Sequence, residues 1–423
     1  MSRHIDPLRV ALLGFGTVGR SVAQILTAGH VPDVQLTHIF NRSVDKKRVD
    51  WVPASVQWTE SVDEVLAGDA DVIIELVGGL HPAYEWVRSA LVACKSVVTA
   101  NKQLIAHYGP ELFALAYDRG QEVRFEASVA GGIPVLRALQ EGLAGDRLVE
   151  VRGILNGTCA YILSRMQTAG ASFPDALAEA QAAGYAEADP SDDVDGGDAA
   201  AKLAIVAAVG LRRPVRVTEI ATRSIRPIEA ADFGYARQLG CTIRQIARAS
   251  VEDDGSVFAA VRPALVPLTS DFGRVEGSQN LVMVRGVFGG QTTFSGSGAG
   301  GSPTAVAVVS DLLTIGRRAG PNSRSRPAPA TEVHRVSGDF VAPHYVRFTV
   351  RDRAGILAAV SAAFARHDIN IEAVLQLPHF THERLPFAMT LEACSEKALD
   401  RALADVAPLD FNVQPPLSLP MFT

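Results

Sequence analysis

Asp198 and Lys202 stand four residues apart in the run GYAEADPSDDVDGGDAAAKLAIVA, residues 184–207, and Glu187 precedes them in a glycine-bearing approach that opens at Gly184. On a helix, an i, i+4 spacing puts a carboxylate and an ammonium on one face. A lysine among Ala, Leu, Ile and Val is costly to bury without a partner, so a plain helix salt bridge accounts for the pair. Oxidation of an alcohol accounts for it as well. There a hydride leaves carbon while a base takes the hydroxyl proton; in reverse, a cation polarises the carbonyl and returns that proton. Lysine serves both directions if burial or a second ammonium loosens its proton. A neighbouring carboxylate acts the other way, and Lys102, at the end of VVTANK, is the ammonium available to offset it. The intervening acids, Asp189, Asp192, Asp193 and Asp195, flank Pro190 and a Gly-Gly pair and are expected to form a solvated loop. They do not make a calcium loop. With Gly196 as the loop glycine, the first position is Ser191 and the last is Lys202, where a bidentate Glu is required.

A second chemical signal is Gly14-Phe15-Gly16-Thr17-Val18-Gly19, placed where an apolar run ends and a helical pattern begins. In a dinucleotide site the first glycine permits the tight turn and the second lets pyrophosphate approach the backbone. The third allows close helix–strand packing, with the helix N-terminus facing the phosphates. An NAD site usually carries an acid at the end of the second strand. This chain instead has Phe40-Asn41-Arg42-Ser43, with Lys46, Lys47 and Arg48 behind. Arg42 and a lysine suit a 2′-phosphate, which favours NADP while leaving NAD open.

The elements that must position these groups follow from periodicity. Residues 1–135 alternate apolar runs (LRVALLG, VQLTHIF, ADVIIELVG, KSVVTA, QEVRFEAS) with helix-like stretches (VGRSVAQILTAG, PAYEWVRSALVA, PELFALAYDRG), the pattern of a Rossmann-type parallel sheet in an α/β protein. Ligands there gather at the carboxyl ends of strands, which brings Gly78-Gly79, Lys102 and the segment from Glu126 to Pro134 toward one crevice. Residues 136–318 mix strands (LVEVRGILN, LVMVRGVFG) with alanine-rich helices in a central α+β domain, and GSGAGGSPTAVAVVSDLL reads as a glycine loop opening a helix. A Pro-, Ser- and Arg-rich linker is expected at 319–342. The order βαββα over 343–423 predicts a compact α+β tail.

The 423 residues are enough for several domains, and 48% hydrophobic with 20% charged residues is ordinary globular composition. A net charge of −6 gives no basic face for nucleic acid. No apolar run reaches ~18 residues, and no signal peptide is read at the start, so a cytoplasmic chain without a membrane span is expected. The cysteines (Cys94, Cys159, Cys241, Cys394) lack the spacing of a zinc site or a disulfide framework.

GFGTVG, ELVGG, VVTANK, FEASVAGGIP, GILNGTCAYIL, GYAEADPSDDVDGGDAAAKLAI and GSGAGGSPTA, in this order, resemble homoserine dehydrogenases over nearly the whole chain. That family interconverts L-homoserine and L-aspartate 4-semialdehyde with NAD or NADP, on the route to threonine and methionine. The resemblance implies that Lys102 and Lys202 are the active-site lysines, Lys202 carrying the acid/base role. Glu187 and Asp198 then hold the substrate, Glu187 by its ammonium group, with Gly184 in the binding loop. Phe15, Thr17 and Val18 match cofactor contacts, and Gly298, Gly300 and Gly301 match a second glycine segment whose helix returns to the nucleotide domain. The family also binds a monovalent cation, typically sodium, near positions matching Glu126, Val129, Gly131 and Ile133, mostly through backbone carbonyls. Its central domain pairs through a sheet, which implies a homodimer or homotetramer. The tail resembles an ACT domain, the usual seat of L-threonine inhibition. Asp352, Gly355 and Asn370 are its candidate effector contacts, although this chain has Ala354 and LEACSE where the family usually has proline and a late histidine.

Two rival readings remain. An acylating semialdehyde dehydrogenase needs a thiolate, and Cys159 follows Asn-Gly-Thr at an apparent helix start, where a thiol's pKa falls. A non-catalytic NADP or amino-acid sensor would use the same domains as receptors, but has no need of Lys102, Lys202, Asp198 and Glu187 together. Asn156-Gly-Thr also matches a glycosylation sequon, read here as a turn.

Overall fold

The computed structural model describes residues 7–29, 31–318, 336–377 and 380–422. The chain forms two compact units. The first comprises Met1–Val151, Ala201–Glu219 and Leu281–His334, and the second Arg152–Ala200, Ile220–Asn280 and Arg335–Thr423.

The first unit opens with β1 (Leu8–Leu13), α1 (Thr17–Thr27), β2 (Val34–Phe40), α2 (Val44–Lys47), β3 (Gln57–Thr59), α3 (Val62–Ala67), β4 (Val72–Glu75), α4 (Ala83–Val92), β5 (Ser96–Thr99), α5 (Lys102–Asp118), β6 (Val123–Arg124) and α6 (Val135–Arg137). Its strands make a six-stranded parallel sheet in the order β3-β2-β1-β4-β5-β6. The order reverses between β1 and β4, so the crevice for a dinucleotide lies at their carboxyl ends. Alternation of side chains explains why these strands are apolar on both faces. Val10, Leu12, Val72 and Ile74 join one core, while Ala11, Leu13, Ile73 and Val97 join the other.

β7 (Leu148–Ile154) then carries the chain into the second unit, with α7 (Gly157–Ala169), α8 (Phe173–Ala182), α9 (Ser191–Val194), α10 (Gly197–Val206), β8 (Ala221–Thr222), α11 (Ala230–Gln238), β9 (Cys241–Val251) and β10 (Val257–Pro267). α10 itself spans the division, with Asp198 in the second unit and Lys202 in the first. β11 (Gln279–Gly286), β12 (Gln291–Ser297) and α12 (Gly301–Arg318) follow, and α12 packs against α1 within the first unit. The strands of the central mixed sheet are divided accordingly. The antiparallel β9–β10 hairpin, registered from Val257↔Val251 to Pro267↔Cys241, belongs to the second unit, with β8 and β13 (Val336–Ser337) beside β10. This hairpin is buried but carries Arg244, Gln245 and Arg262, so it lacks the apolar run that would announce it in sequence.

The tail is β14 (Val341–Val350), α13 (Ile356–Ala365), β15 (Ile371–Leu375), β16 (Leu385–Ser395), α14 (Glu396–Val406) and β17 (Leu417–Pro420). Its sheet runs β15-β16-β14-β17 and is antiparallel throughout. β17 extends the expected βαββα order by one strand. Most of the expected linker lies outside the described residues.

α5 departs from the sequence expectation. Pro110 suggested the helix start, yet the helix begins at Lys102 and passes through Pro110. The Asn101 side chain accepts from the Leu104 amide at 3.1 Å, the N-cap bond that lets a helix start here.

Candidate active site

Gly14 ends β1 with φ +101°, and a Cβ at Gly19 would fall onto the carbonyl oxygen of Gly14, so the turn admits only glycine at these points. Gly16 faces open space and precedes α1 without a side-chain cap, and no acid occupies the first turn of α1. Those unpaired N–H groups and the positive helix end suit pyrophosphate. Thr17 is exposed and Val18 half-buried. Phe15 is placed differently from a side-chain cofactor contact: its ring lies in the core, edge-on to Trp58 at 4.9 Å, which leaves its backbone to line the turn. A cleft of about 280 Å³ lies between this turn and Arg20, Lys46, Lys47 and Val49. Arg42 is exposed and not among the lining residues; Arg20, Lys46 and Lys47 are the cations at the cleft wall.

The second glycine segment joins the same unit. Gly298 is buried, Gly300 has φ +116°, and a Cβ on Gly301 would meet Ser21 Oγ at 2.8 Å. Glycine there is what allows α12 to abut α1. The Gly132 amide donates to Ser297 O at 3.3 Å, bringing the 129–133 loop against this segment.

Glu126, at the head of that loop, is committed elsewhere. Its carboxylate accepts from the Leu136 and Arg137 amides at 2.8 and 2.7 Å, and its own amide donates to Asp311 at 2.9 Å. Burial pushes its carboxyl up to about 7. Each of its oxygens holds one backbone amide, which turns the carboxylate toward residues 136–137. Among the described residues there is no cluster of three or more His, Cys, Asp or Glu able to hold a metal.

Lys102 is half-buried and is the first residue of α5, at the carboxyl end of β5. The residues around it are tied to a group the sequence reading passed over. Glu75, the last residue of β4, is fully buried and bonds to Val77, Gly78 and Thr99, while Asn101 donates to Gly79 O at 2.6 Å. Its only sequence signal is an acid ending an otherwise apolar strand.

In the acidic run, Asp198 is buried near the start of α10, and Lys202 follows one turn on, half-buried. Asn156 Nδ2 donates to Asp198 at 2.8 Å and to Asp193 at 2.5 Å, while its Oδ1 caps α7 at the Cys159 amide. Asp193 is therefore bonded inward, contrary to the expectation of a solvated loop. Asp195 accepts from Ser224 at 2.6 Å and pairs with Arg226 at 3.0 Å. Asp189 and Asp192 are exposed, as expected of loop acids, and Asp189 accepts from the Ser191 amide. Glu187 is exposed, and its carbonyl accepts from Gln181. Gly184 ends the α8 turn with φ +76°.

Cys159 is not an activated thiol. It is fully buried, and burial, with Asp193 and Asp198 nearby, pushes it well above the ordinary thiol range. Its Sγ donates to Asp193 O at 3.2 Å. The helix N-terminus is outweighed by desolvation and by two carboxylates, which removes the acylating reading.

A dinucleotide crevice, a lysine opening α5 and an Asp–Lys turn in α10 fit a family of known sequence. Residues 14–126 match the NAD-binding domain model of homoserine dehydrogenase, 134–313 the homoserine dehydrogenase model, and 344–410 the ACT domain model. Homoserine dehydrogenase of Bacillus subtilis is 38% identical over 388 residues, covering 89% of each chain. The chain belongs to the homoserine dehydrogenase family.

The crystal structure of a homoserine dehydrogenase from Thiobacillus denitrificans matches at a TM-score of 0.91 and 34% identity, over 99% of this chain and 98% of that one. A hyperthermophilic archaeal homoserine dehydrogenase in complex with NADPH matches at a TM-score of 0.63 and 28% identity, over 75% of this chain and all of its own (100%). As a homoserine dehydrogenase, the chain is an oxidoreductase with an NAD(P)-binding domain and an ACT tail. In that tail, Asp352 pairs with His382 at 2.6 Å, Gly355 precedes α13 with φ +93°, and Asn370 donates to Glu392 at 3.1 Å. No described helix is long and apolar enough to cross a membrane.

Proposed function

We propose that this homoserine dehydrogenase interconverts L-homoserine and L-aspartate 4-semialdehyde with Lys202 as the acid/base, and that it favours NADP over NAD. The observation that carries the reading is Asp198, buried and held by Asn156, one helical turn before Lys202. The bound nicotinamide supplies the hydride acceptor in one direction and the donor in the other. Lys202 takes the proton from the homoserine hydroxyl and returns it to the aldehyde oxygen on reduction. Lys102 supplies the second ammonium near the nicotinamide end. Glu187, exposed on the approach loop, receives the substrate ammonium, and Asp198 holds the substrate and orients Lys202. Gly14–Gly19, Gly298, Gly300 and Gly301 hold the dinucleotide. The cleft lined by Arg20, Lys46 and Lys47 supports NADP.

A sodium ion would be held at Glu126, Val129, Gly131 and Ile133, mostly by backbone carbonyl oxygens. The ACT tail supports regulation by an amino acid, L-threonine first, through Asp352, Gly355 and Asn370. A homodimer or homotetramer is the expected assembly, read by size-exclusion chromatography with light scattering.

The test follows reduced cofactor at 340 nm (the usual reduced-nicotinamide wavelength) with L-homoserine and NADP⁺ or NAD⁺. Lys202→Ala is expected to lose at least ~100-fold in kcat, the scale for loss of a general acid/base, while retaining cofactor binding. Retained turnover in that variant would overturn the role of Lys202.

A further inference from the structure

We propose that Glu75 is a positioning residue for the reaction, locking the Val77–Gly79 turn and the Thr99–Lys102 turn into one rigid unit that presents Lys102. The proposal rests on the assignment of Lys102 above and deepens it. Glu75 is fully buried at the carboxyl end of β4, beside the point where the strand order reverses. One carboxylate oxygen accepts from the Val77 amide at 2.7 Å and the Gly78 amide at 3.0 Å; the other accepts from Thr99 Oγ1 at 2.6 Å. Thr99 Oγ1 in turn accepts from the Asn101 amide at 2.9 Å. Asn101 closes the circuit, donating to Gly79 O at 2.6 Å while its Oδ1 caps α5 at the Leu104 amide. Every link lies within the first unit.

The chemistry of this placement separates positioning from simple core filling. The rest of β4 is Val72, Ile73 and Ile74, and a fourth apolar residue would fill the site without desolvating an acid. What the acid adds is three directed bonds to two loops. Gly78 and Gly79 both hold left-handed φ, +77° and +73°, a turn with two backbone amides aimed at one acceptor. Being fully buried, Glu75 acts through Lys102 and this turn. Misplacing a reacting group by about 1 Å costs on the order of 100-fold in rate, which sets the size of the effect.

The experiment uses the full chain with L-homoserine and NADP⁺, reading kcat, KM, cofactor Kd by NADPH fluorescence, and Tm. Four proteins are compared with wild type: Glu75→Leu, Glu75→Gln, Lys102→Ala and the Glu75→Leu/Lys102→Ala double variant. Glu75→Leu is expected to lose roughly 100-fold in kcat, with a much smaller change in KM for homoserine. Glu75→Gln should recover most of that loss. Its amide oxygen keeps both backbone bonds, and its NH₂ donates to Thr99 Oγ1, which retains room for a second acceptor bond. The double variant should be no slower than Lys102→Ala alone, because Glu75 acts through Lys102. An unimpaired Glu75→Leu, a Glu75→Gln as slow as Glu75→Leu, or additive losses in the double variant would each overturn the proposal. An inert Lys102→Ala would remove the assignment of Lys102 and this proposal with it; an impaired Lys102→Ala beside an unimpaired Glu75→Leu would remove the proposal alone. Should Glu75→Leu fail to fold, Thr99→Val and Asn101→Ala cut the same circuit and are expected to lower kcat with the same split; unchanged kcat in both would overturn it.

Discussion

His344 lies buried between Phe340 and Cys394, with its Nδ1 3.6 Å from Cys394 Sγ and its Nε2 without a hydrogen-bond partner. Burial lowers its pKa to about 4, against the pull of Glu396 and with the push of Arg262 and Arg223. The unfolded chain takes up this proton near pH 6.5 and the folded chain only near 4, so stability falls as pH drops through that window. Between pH 7.5 and 5 the expected loss from this residue is about 2 kcal/mol. Urea denaturation of wild type and His344→Leu at the two values checks it; an identical pH dependence would refute it. Asn156 makes the second prediction at this scale. It is the shared donor for Asp193 and Asp198, and its loss leaves two carboxylates facing each other. Asn156→Ala is expected to raise KM for homoserine by roughly 10-fold, the cost of one charge-assisted bond, with cofactor Kd unchanged.

Among the elements, the strand–turn–helix at Gly14–Gly19 carries the cofactor prediction. A methyl group at Gly19 would displace the Gly14 carbonyl or push α1 away from β1. Gly19→Ala is therefore expected to weaken NADPH binding at least ~10-fold, since the helix end no longer meets the pyrophosphate. Fluorescence titration reads this without turnover. The segment Arg223–Glu229 is the other element with leverage on the site. Ser224 and Arg226 hold Asp195, Arg223 pairs with Asp400 at 3.0 Å, and the Pro227 carbonyl accepts from Arg347 at 3.0 Å. One short stretch thus bonds both to the acidic loop and to the tail within the second unit.

At the scale of the whole molecule, buried charge anchors that tail. Arg347 Nε lies 2.8 Å from Asp232, both almost inaccessible, and Tyr345 donates to Asp232 at 2.7 Å. Arg262 pairs with Glu396 at the head of α14. Removing one partner of such a pair strands the other charge, a cost of about 3–5 kcal/mol. Arg347→Ala is expected to lose stability on that scale and to make the tail the first segment cut by limited proteolysis. Cleavage beginning elsewhere would contradict it.

What the sequence determined by itself was local. The glycine turn, the Asp198–Lys202 face and the alternating strands and helices of the first unit depend on neighbours within a few residues, so spacing alone reveals them. The ordered motif series added the family and its ACT tail. Tertiary structure decided whatever depends on partners far along the chain. Asp193 turned from loop acid to site neighbour because Asn156, 37 residues away, reaches it. Glu126 is fixed by Leu136, Arg137 and Asp311, and Cys159 is kept protonated by burial that no short motif records. Glu75 and Thr99 are 24 residues apart and meet only because β4 and β5 pair in register. Hydrogen bonds and desolvation act over ångströms in space, and only folding sets which residues fall within that reach.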